Sequence, residues 1–274
     1  MSHVLPEQAS PRPGGVTPAA TDLHGLVSRI GGAFMTSPYA RAIAERLGLD
    51  GWSTYLVGRG GVLGDVDADV VSAAMAFFPT EFVRRHWETA RSVVSPAAGA
   101  VAYRDAVAGW GREHLDGLEE AARLAELLAR VAEAASPVGA SLFAGWRAQL
   151  PPEDPPARAA HLAHVLREHR GGMHVVAVLA AGMSPLAAIL SGPRGEPNAR
   201  FFGWPGPYPP VTEADRRTRA EIELLTDRLV APAWSVLDAT EQAEVARLLA
   251  TVTARPDAPP VRRATGEAPL DTDA

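Results

Sequence analysis

Residues 166–190 read LREHRGGMHVVAVLAAGMSPLAAIL, and this stretch decides the fold. A charged helix end (Arg167, Glu168, His169, Arg170) runs into Gly171-Gly172, and an apolar segment follows from Met173 to Ala181. Gly182 closes that segment, and Ser184-Pro185 opens the next helix, since serine caps and proline fits a first turn. The glycine pair is expected to end one helix, so the pattern predicts a short buried helix over 173–181 between two junctions. Although the run approaches membrane-spanning length, His174, Gly182, Ser184 and Pro185 interrupt it and alanine and valine dominate it. It is therefore expected to be core. Apart from an ambiguous Ser53 to Val57, no stretch alternates apolar and polar residues for long, so the fold class is all-α, a multi-helix bundle.

Working outward toward the C-terminus, residues 191–211 (SGPRGEPNARFFGWPGPYPPV) form a Pro/Gly-rich loop anchored by Phe201, Phe202, Trp204 and Tyr208. Thr212 with Asp215, and Asp238 with Glu241, are capping-box starts for two further helices. Toward the N-terminus, a helix from Ala157 leads into the hub, and PPEDPP at 151–156 is the best internal boundary. Ser136-Pro137 predicts another helix start. The Ala-rich reach from Ala97 to Ala135 is expected to break near Gly109 to Gly111. Leu118, Ala121, Ala122, Ala125, Leu128 and Ala132 supply its buried face, and a homodimer through an Ala-rich helix is the partner expected. Thr80 and Ser95 read as caps, as do Asp65 and Asp67 before a helix through Val70, Val71, Ala74 and Phe77. Leu23, Leu26, Val27 and Ile30 share one helix face that Gly31-Gly32 loosens, and Tyr39, Ile43 and Leu47 continue to a stop at Gly48. The organisation expected is a disordered arm over 1–20, an N-terminal helical bundle over 21–150, a C-terminal helical part over 157–253, and a disordered tail over 254–274.

The chain has 274 residues, a net charge of −6 and no cysteine. No overall positive field draws it to nucleic acid or anionic lipid. Disulfides, thiolate nucleophiles and cysteine-based metal sites are excluded, and with no signal-like start a cytoplasmic location is expected.

Catalytic motifs are missing. No Gly-x-Ser-x-Gly occurs, and Ser184 is better explained as a cap. Gly58, Gly60, Gly61 and Gly64 surround Arg59, but the sixth position counted from Gly58 is Leu63, and no Gly-Lys-Ser/Thr follows, so the stretch is a glycine-rich connection. His161, His164, His169 and His174 crowd one region without metal-ligand spacing, so neither a metal nor another cofactor is assigned. Arg167, Glu168, Arg170 and His174 are instead expected to meet around Gly171-Gly172, with Arg59 nearby. A carboxylate or phosphate would find free N–H donors there, at the start of the 173–181 helix. Arg216, Arg217 and Arg219 form the one dense basic run of the folded region. Glu213, Asp215, Glu221 and Glu223 largely cancel their field.

Several motifs carry a resemblance. Tyr55-x-x-x-Arg59 with Leu63-Gly64, the run Asp69-Val70-Val71-x-Ala73-Ala74 ending at Phe78, and LREHRGG-x-His174-Val175 with Ala180-Ala181-Gly182 are three of them. The fourth is Glu223-x-x-Thr226-Asp227-Arg228-Leu229 with Pro232-x-Trp234. Together, from Leu23 to Val252, they resemble an actinobacterial group of SalK-like, helix-turn-helix-fold proteins. The resemblance implies a regulator-like fold, with a helical ligand-pocket-like body and a winged-helix-like C-terminal part. Val62 stands where relatives carry proline, and the loop at 191–211 replaces their second helix and wing, leaving that part degenerate. Without a recognition helix a major groove cannot be read in the usual way. The expectation is a non-enzymatic, intracellular, helical protein that either binds a small molecule or regulates. The alternatives are a DNA-binding regulator using Arg216, Arg217 and Arg219, and an enzyme using His174 with Glu168 as an acid–base pair.

Overall fold

A computed structural model describes residues 18–253, with side chains described from Leu23 to Val252, and contains no strand there. Its helices are α1 (Pro18–Ala33), α2 (Pro38–Leu47), α3 (Gly51–Gly60), α4 (Ala68–Ala74), α5 (Thr80–Arg91), α6 (Pro96–Leu115) and α7 (Ala121–Ala134). They continue as α8 (Ser141–Arg147), α9 (Pro155–Ala180), α10 (Pro185–Leu190), α11 (Gly195–Phe201), α12 (Glu213–Trp234) and α13 (Ala239–Thr253). Because α1 begins at Pro18, the arm expected over 1–20 is too long. Residues 1–17 and the tail over 254–274 lie outside the described residues. No helix of the described residues is long and apolar enough to cross a membrane.

Local chemistry accounts for most of the boundaries. Ser95, Asp154 and Ser184 each accept a backbone N–H ahead of a first-turn proline, and Asp67 caps α4 alone, without Asp65. Thr212 and Asp215 form a reciprocal capping box, and Asp238 and Glu241 repeat the exchange. Gly48 stops α2 in the left-handed region at φ 65°. The ambiguous 53–57 stretch is helical, within α3. Pro79, rather than Thr80, occupies the cap position of α5. α4 stops before Phe77, and a helix that the loop reading missed, α11, lies inside 191–211. Ser136-Pro137 starts no helix: residues 137–139 form a turn, and α8 begins only at Ser141.

The hub stretch departs from expectation. α9 runs unbroken for 26 residues through Gly171-Gly172, so the junction expected there does not exist. The 173–181 segment consequently has no free first-turn amides to hold an anion. α6 likewise passes straight through Gly109 to Gly111. In each place one of the glycines, Gly109 or Gly172, serves close packing. A side chain at Gly109 would meet the Tyr39 ring at 2.5 Å, and one at Gly172 would come within 2.5 Å of the Ala140 Cβ. α9 is thereby the axis of the bundle, with α1, α6, α7, α8 and α12 packed around it.

The largest apolar cluster joins α1, α6, α7, α8, α9, α12 and α13, with Phe34, Trp110, Phe143 and Trp146 fully enclosed. The Ala-rich face of α7 (Ala121, Leu124, Ala125, Leu128) is spent inside this cluster, and so is not open to a second copy. A second cluster gathers α3, α4 and α5 around Trp87.

Candidate functional site

The site is built where α3, α9 and the connection from α4 to α5 converge. Tyr55 and Arg59 stand four residues apart on α3, so they share one helix face. Arg59 Nε donates to Glu168 Oε1 at 2.9 Å and its Nη2 to Oε2 at 2.8 Å, a two-pronged pairing of guanidinium and carboxylate. Arg59 Nη1 donates to the Tyr55 hydroxyl at 2.8 Å and faces the Met75 sulfur at 3.3 Å. Arg167 Nη1 adds a donor to Glu168 Oε1 at 2.9 Å. The Glu168 side chain is only 1% exposed. Burial opposes its charge, but Arg59 and then Arg167 outweigh that and hold the carboxyl down to about 2. Trp146 Nε1 donates to the Arg59 carbonyl at 3.1 Å, tying α8 to the end of α3.

Beside this pair lies a cavity of about 100 Å³. Arg59 and Glu168 form its polar wall, while Ala74 at the end of α4, Met75 and Phe77 from the connection to α5 and Val175 from α9 form its apolar one. Gly171 and Gly172 also line it, and the exposed Gly139 and Ser141 stand at its mouth. Its wall is held from behind, because Trp204 Nε1 donates to the Phe77 carbonyl at 2.9 Å. The aromatic anchors of the 191–211 segment thus brace the cavity.

The expected constellation is divided. In an unbroken helix, residues two apart point about 200° away from each other, whereas residues four apart nearly coincide. Glu168 therefore faces α3, and Arg170 and His174 face α12. There Arg170 Nη2 donates to Glu223 at 2.9 Å and to Asp227 at 3.3 Å, and Arg219 pairs with Glu223 from the other side. Arg219 Nε donates to the Ala188 carbonyl at 3.2 Å. The Thr226 hydroxyl donates to the Ile222 carbonyl, so it accepts from His174 Nδ1 at 2.9 Å, and that nitrogen carries the proton. His174 also stacks on Phe77, which separates it from the cavity, and desolvation lowers its pKa to about 4. With His174 and Glu168 on different faces, they do not form the acid–base pair weighed above.

The other histidines are core aromatics. His164 Nδ1 donates to the Gly31 carbonyl at 3.1 Å within an edge-on ring of Phe34, Tyr103 and Trp146, and burial lowers its pKa to about 3. His161 lies against Trp146 and His169 against Phe143, each lowered to about 4 by desolvation. Among the described residues no three such side chains converge as metal ligands. Of the basic run, Arg216 and Arg217 are exposed, with Arg216 3.7 Å from Glu213, while Arg219 is committed to Glu223 and Ala188.

Tyr55, Met75 and Phe77 were not singled out by sequence reasoning as parts of a site. Only the four-residue spacing of Tyr55 and Arg59 offered a signal for any of them. A family model described as the helix-turn-helix family matches residues 20–207, well over half of the chain. The match ends before α12, so Arg216, Arg217 and Arg219 lie outside it. The searches of curated proteins and of solved structures each gave no match.

Proposed function

Since the chain belongs to the helix-turn-helix family, we propose that it is a regulatory protein whose helical body binds a small molecule in the cavity beside Arg59 and Glu168. One observation carries this reading: the end of α4 and its connection to α5 supply the cavity wall from Ala73 to Phe78. α4 and α5 are two short helices joined by residues 75–79, inside the matched span. A guest in the cavity therefore touches the joint of a helix pair, and the free energy of binding acts on their relative placement. The test is a thermal-shift screen of metabolites followed by amide exchange on any hit. Binding here raises the melting temperature and slows exchange across 73–78. A screen with no hit, beside salt-sensitive retention of duplex DNA, sinks the reading.

Direct DNA binding is the second reading, favoured by the family. Its recognition surface would be α5, which carries Arg84, Arg85 and Arg91. Arg84 is paired with Asp69 and Glu81, and Arg91 with Asp65, so phosphate must compete for them. Retention abolished by Arg84→Glu with Arg85→Glu places the contact on α5. Retention abolished only by Arg216→Glu with Arg217→Glu places it on α12.

A further inference from the structure

Two adjacent glycines in the middle of α9 have different surroundings. A glycine inside a helix weakens it relative to alanine, because the freer unfolded chain loses more entropy on folding. At Gly172 packing explains the residue, since Ala140 leaves no room for a side chain. At Gly171 no such reason exists. A Cβ there would meet nothing within 4 Å, and the residue lines the cavity. We infer that Gly171 sets the size limit of the ligand, and that the ligand is a small uncharged molecule with an apolar body and one hydrogen-bond acceptor. This rests on the ligand-binding reading and narrows it.

The chemistry of the walls defines the class. Ala73, Ala74, Met75, Phe77, Leu142 and Val175 present apolar surface to little more than half of a guest. The two charges in the lining, on Arg59 and Glu168, pair at 2.8 Å, and the second guanidinium on Glu168, that of Arg167, lies outside the lining and is 23% exposed, so water meets its charge. A charged guest would enter this enclosed wall uncompensated. A guanidinium has five N–H groups. Those of Arg59 meet Glu168 through Nε and Nη2, and Tyr55 and Met75 through Nη1. One Nη2 hydrogen is left over, and a carbonyl, ether or hydroxyl oxygen satisfies it. At about 100 Å³ the space is smaller than the cavity of about 150 Å³ that holds benzene in other proteins. A six-membered ring reaching toward the mouth at Gly139 and Ser141 is the upper limit.

The test uses the full chain and four congeners with one ring: cyclohexanone, cyclohexane, cyclohexanecarboxylate and cyclohexylammonium. Binding is read from the amide resonances of residues 171–175. The ketone is expected to shift them saturably, at least tenfold more tightly than either ion and more tightly than the bare ring. Gly171→Leu, or Gly171→Met should leucine cost the fold, is expected to weaken the ketone at least tenfold. Gly171→Ala is expected to melt at or above the wild-type temperature, showing that the backbone does not require glycine. Undiminished ketone binding in the filled variants, or tighter binding of either ion, overturns this inference and leaves ligand binding at the site standing. If no congener and no metabolite perturbs these amides, both fall.

Discussion

The two faces of α9 hold charge in different ways. Toward α3, a single carboxylate is enclosed by two guanidinium groups, with Glu168 1% exposed and Arg59 14% exposed. Toward α12, Arg170, Arg219, Glu223 and Asp227 share their partners, with Asp227 4%, Arg219 15% and Arg170 20% exposed and Glu223 reaching water at 38%. An enclosed pair is sensitive to the loss of either member, because the survivor is left charged without water. A network of shared partners with one member open to water loses one strand and rearranges. The cavity lies on the enclosed face, where geometry is held most tightly.

Removing one charge from each face tests the contrast most severely. Glu168→Gln leaves the buried Arg59 poorly paired and is expected to cost about 3–5 kcal/mol in urea unfolding. Glu223→Gln, on the wetter face, is expected to cost no more than about 1 kcal/mol. Equal losses would break the comparison.

Acidification comes next. His161, His169 and His174 are lowered to about 4 and His164 to about 3, below the ordinary histidine value of about 6.5. The unfolded chain then binds protons that the folded chain refuses, so stability is complete above about pH 6.5 and falls as pH drops toward 4. At about 1.4 kcal/mol per proton for each pH unit, four imidazoles give a slope of up to about 5 kcal/mol per unit near pH 5. Glu168, lowered to about 2, adds its own loss only below about pH 4.5. Urea midpoints at pH 7, 6 and 5 check this, and a flat profile would refute it.

Smaller effects sharpen the picture. Gly172→Ala, which forces a methyl into Ala140, is expected to cost about 1–3 kcal/mol, whereas Gly171→Ala is expected to stabilise by about 0.5–1 kcal/mol. Thermal unfolding of the two variants should move in opposite directions. Thr226→Val removes the acceptor of the His174 Nδ1 proton and is expected to cost about 1 kcal/mol. A raised His174 pKa in that variant, followed by its ring resonances, would show the network compensating.

Much of the fold was legible wherever a side chain acts on its own backbone. Asp67, Ser95, Ser184, Thr212 and Asp238 cap helices as their spacing implied, and Leu23, Leu26, Val27 and Ile30 are buried along one face. The failures share a cause. A glycine pair reads as a break when its neighbours in space are unknown, yet Gly109 and Gly172 are places where Tyr39 and Ala140 come too close for a side chain. That error moved Arg170 and His174 onto the same face as Glu168 in the sequence reading. Arg59 and Glu168 were each named as candidates, but their pairing spans 109 positions of chain and no periodicity reveals it. Tyr55 stood in a recognisable motif, whereas Phe77 and Met75 owe their place to where α4 stops.

α9 carries one more consequence, for motion. At about 1.5 Å of rise per residue its 26 residues form a rod of roughly 39 Å. Along most of that length side chains clasp it from five neighbouring helices. At Gly171 a side chain would meet no neighbour, so one flank of the rod borders open space there. That open flank adjoins the cavity, so an occupant would brace the rod where no neighbouring helix does.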